Sequence, residues 1–308
     1  MVPIGDIEQW VTIRGADCAN PVILFLHGGP GNPLSPFSEA IYGTWENDFT
    51  LVQWDQRGTG MTYLANPPPQ DLTVDRMVAD GLALSEYLSR AMGQEKLILL
   101  AGSWGTVLGV RMALERPDLF HAYLGAGQLV SGPENQAASY RKVLERARTA
   151  GDEDIVATLE ALGPPPWSNP RNPGILRRAT RVFEGKDTVP PPEHWWSPAA
   201  DYTDAEFRAA NEAGEEFSYI EFIGMDGQGM LSRLNLPDYG LSFEIPVFLV
   251  HGEEDLVTVP EVARRYFDSL AAPEKEFRLL EATGHDPNAA MIDAEYEILK
   301  TRIMPLAQ

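Results

Sequence analysis

A serine, an aspartate and a histidine stand in this chain in surroundings that suit nucleophilic catalysis. Residues 97–109, LILLAGSWGTVLG, begin with the aliphatics Leu97, Ile98, Leu99 and Leu100 and pass through small residues around Ser103. Helical spacing follows through Leu108, Met112 and Leu114 until Pro117 stops it. A hydroxyl is a poor nucleophile until a base takes its proton and a third group holds that base in its working tautomer. A sharp strand-to-helix turn lifts the Ser103 hydroxyl above a sheet. The helix after it offers the Trp104 N–H and a positive dipole end to a developing oxyanion. VFLVHGEEDLVTVP sets Asp255 in the loop after a later strand, and LLEATGHDP sets His285 in the loop after the next. The chain order Ser, Asp, His accompanies a nucleophile displayed in this way.

Glu253 and Glu254 are rival acids, but Asp255 sits deepest in its loop. Of the five histidines, only His285 follows a late strand in the required position. His121 begins a strand, His194 lies in a proline-rich loop, and His251 ends a strand, where it supports packing or the loop. The turn FLHGGPGNP lacks the Lys-Ser/Thr ending of a phosphate-binding P-loop and the G-x-G-x-x-G spacing. Its better use is a second oxyanion N–H, from Gly29, with His27 bracing the loop. Ala101 stands where a glycine two residues before the nucleophile is usual. Gly102 and Gly105 keep the remaining space open.

These residues require a sheet to carry them. Short apolar runs at 21–28, 50–55, 96–102, 121–127, 245–252 and 276–282 alternate with helical patterns at 73–92, 104–116, 260–271 and 286–304. Such alternation predicts an α/β fold, a mostly parallel sheet covered on both faces. IEQWVTIRG at 7–15 reads as an antiparallel edge strand. Between 131 and 240 the alternation fails, and nine of the 25 prolines fall within 164–198. Helical segments at 133–150 and 203–223 flank them. The expectation is a core of residues 1–130 and 241–308, with a helical cap, 131–240, inserted and stiffened by proline loops; a separate domain is the alternative.

At 308 residues the chain can bury one large core. A formal charge of −21 argues against a nucleic-acid binder, which needs clustered Lys and Arg. The acidity either keeps the protein soluble or draws cationic substrates. No run approaches the ~18 apolar residues of a membrane helix, and MVPIGDIEQW has no signal-peptide pattern. Cys18 is the single cysteine, so a reducing, cytoplasmic location is expected.

HGGPG (27–31), WDQRGTG (54–60) and AGSWGT (101–106) together resemble the signatures of the proline iminopeptidases (the prolyl aminopeptidase family of serine peptidases) and their α/β-hydrolase relatives, a likeness spanning nearly the whole core. The resemblance implies an eight-stranded α/β-hydrolase core, a helical cap over the site, no cofactor and no metal. It implies a catalytic triad of Ser103, Asp255 and His285, with Gly29 and Trp104 as oxyanion donors. Asp55 and Arg57 are expected to brace the HGGPG loop. In the family's cap a segment Glu-Asn-His-Tyr-Phe binds the substrate amine, and EFSYI (216–220) aligns with it in part. Glu216 then falls on the amine-binding position and Tyr219 on the tyrosine; the middle residues differ. Seven acids against one base, Arg208, between 201 and 221 suit either an amine site or a solvated helix face. Trp104, Trp195, Trp196, Phe217 and Phe222 suit either a pocket wall or packing within the cap.

The leading expectation is a serine peptidase taking a small N-terminal residue, such as proline, from short peptides. The alternative keeps the triad but acts as an esterase, amidase or lactonase on a small acyl substrate. A binding module that has lost catalysis is a third reading, weakened because no triad member is missing. Ser103 at the turn excludes the aspartate chemistry of epoxide hydrolases. The partner expected is a small molecule or short peptide, with no nucleic acid and no membrane; the sequence leaves oligomeric state open.

Overall fold

The computed structural model describes residues 1–66 and 72–307. Among the described residues, eight strands form one sheet in the order β1-β2-β4-β3-β5-β6-β7-β8. The strands are β1 (Val2–Ile4), β2 (Ile7–Arg14), β3 (Val22–Leu26), β4 (Thr50–Asp55), β5 (Leu97–Gly102), β6 (Phe120–Ala126), β7 (Val247–Gly252) and β8 (Lys275–Leu280). β2 pairs antiparallel with both of its neighbours, β1 and β4, and the strands from β4 to β8 in that order pair parallel. The central strands are buried along both faces, as their unbroken aliphatic runs require. β1 was not expected; three residues carry too little periodicity to register.

The helices are α1 (Ser38–Tyr42), α2 (Gly60–Ala65), α3 (Val74–Met92), α4 (Gly105–Glu115), α5 (Gly132–Ala150), α6 (Glu153–Leu162), α7 (Asn172–Asp187), α8 (Ala205–Ile223), α9 (Met230–Arg233), α10 (Pro260–Ser269) and α11 (Ala289–Ile298). α3, α4 and α10 cover one face of the sheet, and α1 and α11 cover the other. Thr73 caps α3 by accepting from the Arg76 N–H, and Gly93 ends it at a left-handed φ of 67°. α11 begins three residues later than the pattern at 286 suggests, because the Asn288 side chain caps it through the Met291 N–H (3.1 Å). Its last turn widens into a π-helical turn at Leu299–Ile303.

Helices α5 to α9 lie between β6 and β7, and an isolated bridge between Ser131 and Asn235 clips together the two ends of this segment. α6 and α7 were hidden by the prolines around them. Leu176, Ala179, Thr180 and Phe183 are nonetheless buried at helical spacing along α7. Leu176, Ala179 and Phe183 join a separate apolar cluster with Tyr140, Val143 and Leu159, into which Leu256 reaches from the loop after β7. This inserted segment thus packs on the residue next to Asp255.

β3 lies between β4 and β5, with Leu26 paired to Ala101. The chain adds β4 on one side of β3 and β5 on the other. A crevice therefore opens beyond the C-terminal ends of β3 and β5, where open α/β sheets bind ligands. The HGGPG loop and the turn at Ser103 share that crevice.

Candidate active site

Ser103 occupies the turn between β5 and α4 with φ of 49°, a left-handed conformation that costs a non-glycine residue about 1–3 kcal/mol. The turn is held because the Ser103 N–H donates to Ala126 O on β6 (2.9 Å) and its carbonyl accepts from Thr106 N (2.9 Å). Crowding explains some small residues and not others. A methyl at Gly105 would run into the Leu26 carbonyl of β3, and one at Gly28 would sit 3.2 Å from Ser103 Cβ. Gly102 meets nothing within 4 Å, so it faces open space and does not make room for the turn.

The three residues singled out from the sequence meet here. Ser103 Oγ donates to His285 Nε2 (2.9 Å) and His285 Nδ1 donates to Asp255 Oδ2 (2.9 Å). Asp255 is fully buried yet well satisfied. Its Oδ1 accepts the Val257 and Thr258 N–H groups (2.8 Å each), and its Oδ2 also accepts Thr258 Oγ1 (2.7 Å). His251 Nε2 lies 3.3 Å from the same oxygen, so this histidine supports the acid's loop. Burial opposes ionisation of Asp255, but the charges and hydrogen bonds of His285 and His251 outweigh it and hold its pKa well below the carboxylate range. Burial likewise lowers the pKa of His285; the Asp255 charge and hydrogen bond overcome this and leave it raised. Glu253 is exposed and Glu254 pairs with Arg146 of α5, so neither reaches the imidazole.

The backbone N–H groups of Gly29 and Trp104 donate to no acceptor among the described residues. Both residues line the cavity that contains Ser103 and His285. His27 is buried and braces its loop, with Nδ1 donating to Gly28 O (2.8 Å) and Nε2 accepting the Gln56 N–H (3.2 Å). Desolvation pushes its pKa down to about 4, so it remains neutral. Gln56 Nε2 also donates to His27 O (3.1 Å). The brace for HGGPG is therefore Gln56. Arg57 instead pairs with Asp80 (2.7 Å) and Asp6 (2.9 Å), tying α3 to the β1–β2 turn. Asp55 receives Ser35 Oγ (2.5 Å) and Met61 N–H (2.9 Å), which fixes the neighbouring corner.

The cavity measures about 970 Å³ and is roofed by α5, α7 and α8. Trp104, Phe222, Leu129 and Leu231 supply apolar wall, and Trp104 meets Phe222 edge-on at 5.1 Å. Trp196 lines the cavity, while Trp195 and Phe217 pack elsewhere. Glu212 and Glu215 of α8 line the cavity together with Arg177, Arg181 and Arg208. Glu216 does not: one residue on from Glu215, the helix turns it about 100°, so it borders only a side groove, which it shares with Gly29, Pro30, Tyr219, Glu212 and Glu215. Tyr219 borders both spaces, and its hydroxyl donates to Pro170 O (3.1 Å). Among the described residues no cluster of His, Cys, Asp or Glu has metal-binding geometry, and no helix is long and apolar enough to cross a membrane.

Sequence reasoning missed Glu184. This α7 residue accepts the Leu256 N–H (2.8 Å) and pairs with Arg177 (3.2 Å), which also holds Asp286 beside His285 (3.1 Å). Burial, and secondarily the Asp255 charge, raise its pKa. The helical spacing of Leu176, Ala179 and Phe183 was the available signal for the element that carries it.

Similarity to other proteins extends along almost the whole chain. It is 28% identical over 290 residues to the probable aminopeptidase YbaC of Bacillus subtilis, covering 92% of this chain and 89% of that protein. It is 28% identical over 314 residues to a probable proline iminopeptidase of Streptomyces coelicolor, with 93% and 89% covered. Its fold is similar to the crystal structure of a proline iminopeptidase from Mycobacterium smegmatis, at a TM-score of 0.65 and 21% identity over 99% of this chain and 96% of that one. Residues 21–289 match the model of the alpha/beta hydrolase fold, and with the elbow, the sheet order and the late Asp and His loops described above, this chain belongs to that family and is a hydrolase.

Proposed function

We propose that this protein is a serine hydrolase that releases a small N-terminal residue, proline among the candidates, from short peptides. The observation that carries the reading is the unbroken hydrogen-bond chain from Ser103 through His285 to Asp255 at the base of the cavity. Ser103 Oγ attacks the carbonyl carbon as His285 Nε2 takes its proton, and Asp255 stabilises the imidazolium. The Gly29 and Trp104 N–H groups receive the oxyanion. His285 then protonates the leaving amine, and water hydrolyses the acyl-enzyme by the same route.

The names of the two relatives support an aminopeptidase. An ammonium entering a desolvated pocket needs carboxylates, and Glu212 and Glu215 on the cavity wall supply them. Glu216 and Tyr219 act on this reading from the groove beside Gly29, upon the part of the substrate that leaves the cavity there. N-acetylation of alanyl or prolyl p-nitroanilide is expected to lower kcat/KM roughly tenfold or more, the worth of one charge-assisted contact. Equal turnover of free and acetylated substrates sinks the aminopeptidase reading. It leaves an esterase, amidase or lactonase, a reading favoured by the apolar space beyond the triad.

The pH profile tests the base. Only neutral imidazole accepts the serine proton, and Asp255 makes His285 hold its own proton to higher pH. On the acid side kcat/KM for p-nitrophenyl acetate is therefore expected to rise with pH through one ionisation, with a midpoint above the ordinary histidine value of about 6.5. A midpoint below that value assigns the base elsewhere.

A further inference from the structure

The cavity does not end at the triad. It continues as a largely apolar arm on the α11 side of the sheet, lined by Phe25, Tyr42, Leu100, Ala126 and Met291 of one apolar cluster, and a single carboxyl, Glu295, stands among them. Glu295 is 4% exposed. Among the described residues its Oε2 has no hydrogen-bond partner, and neither oxygen joins an ion pair. It lies one helical turn beyond Met291 on the same face of α11.

A buried carboxyl without a partner costs a protein several kcal/mol when ionised, and natural cores rarely keep one. Leucine or methionine would pack an arm of this composition without that penalty. Burial raises the carboxyl's pKa to about 8, in keeping with the apolar lining around it. A ligand cation would remove the penalty, because an ammonium at hydrogen-bond distance favours the ionised form and shares its desolvation. The Tyr42 phenol feels the Glu295 charge and lines the same arm. No cationic side chain of the protein enters this arm among the residues that line it.

We propose that Glu295 is the recognition group of an inner subsite, receiving the protonated amine at the tip of an acyl group or side chain whose apolar stem fills the arm from Ser103. This deepens the serine-hydrolase reading and rests on it: the preferred acyl donor carries a long apolar stem ending in an amine. Glu295 does not touch the reacting atoms. It selects substrate, and it does so apart from Glu212 and Glu215, which line the cavity from α8.

The test compares p-nitrophenyl ε-aminocaproate with p-nitrophenyl heptanoate, which differ by an ammonium and a methyl at the tip. The native protein is expected to prefer the amine-tipped ester roughly tenfold or more in kcat/KM, carried by KM. Glu295→Gln, nearly isosteric, should abolish the preference, and Glu295→Leu should reverse it. Both should leave p-nitrophenyl acetate turnover unchanged, since acetate does not reach the arm. A preference that survives Glu295→Gln, or a native preference for heptanoate, overturns the proposal. If acetate is not turned over at all, the serine-hydrolase reading has failed by itself. Calorimetric binding of ε-aminocaproamide against heptanamide, in native protein and in Glu295→Gln, then decides the subsite: tighter amine binding lost in the variant supports it, and equal binding overturns it.

Discussion

Ser103→Ala is expected to lower kcat on p-nitrophenyl acetate by about 10⁴-fold or more and to abolish labelling by a fluorophosphonate probe. The magnitude follows from what remains. With the hydroxyl gone, His285 has no nucleophile to activate, and the Gly29 and Trp104 N–H groups can still polarise a carbonyl only for attack by water. Thermal stability should barely change, because alanine inherits the left-handed backbone at φ 49° and loses one hydrogen bond to His285. Ser103→Gly separates strain from chemistry. It should be as inactive as the alanine variant yet more stable by about 1 kcal/mol, since glycine adopts that φ without penalty. The serine therefore sits in a conformation that favours display over stability. An alanine variant that keeps even a tenth of the activity would assign the nucleophile to another residue.

The parts of the site that were legible in the sequence are those where a change of period coincides with a reactive side chain. β5 passes from buried aliphatics to helical spacing within a few residues, and Ser103 lies at the change. Asp255 and His285 each follow an apolar strand, so sheet topology brings them together although 30 residues separate them in the chain. What was not legible depended on contacts across the fold. Arg57 looks in sequence like part of the glycine-rich loop's bracing, but its ion pairs with Asp80 and Asp6 draw it to the other side of β4, and Gln56 does the bracing. Gly102 and Gly105 look equivalent around the serine, yet only one is crowded. Glu216 and Glu215 are adjacent in sequence, yet Glu215 borders both the cavity and the side groove while Glu216 borders the groove alone. Glu184 was concealed within a proline-rich stretch whose helix is anchored by tertiary packing. Glu295 reads as an ordinary surface acid of an amphipathic helix until the cavity beside it is seen.

The two glycines beside the nucleophile give the sharpest stability contrast. Gly105→Ala would place a methyl 2.6 Å from Leu26 C and 2.8 Å from His27 O, and closer still to Leu26 O. These are backbone atoms at the C-terminal end of a central strand, and Leu26 is paired with Ala101 of the very strand that leads into the elbow. Neither partner can move away: α4 would have to lift from the sheet, or β3 would have to shift out of register. Overpacking against fixed backbone costs about 3 kcal/mol or more, a large share of a domain's total stability of roughly 5–15 kcal/mol. The Gly105→Ala protein is expected to melt about 5 °C lower or more, or to accumulate as insoluble chain. Gly102→Ala meets nothing within 4 Å and should melt within about 2 °C of the native protein. Activity should follow the same division. Lifting α4 from β3 separates the Trp104 N–H from the Gly29 N–H, so any folded Gly105→Ala protein should turn over p-nitrophenyl acetate at least about tenfold more slowly. Native-like melting and turnover in the Gly105→Ala variant would show that α4 does not rest on the end of β3. The oxyanion donors would then lack the rigid contact that sets their spacing.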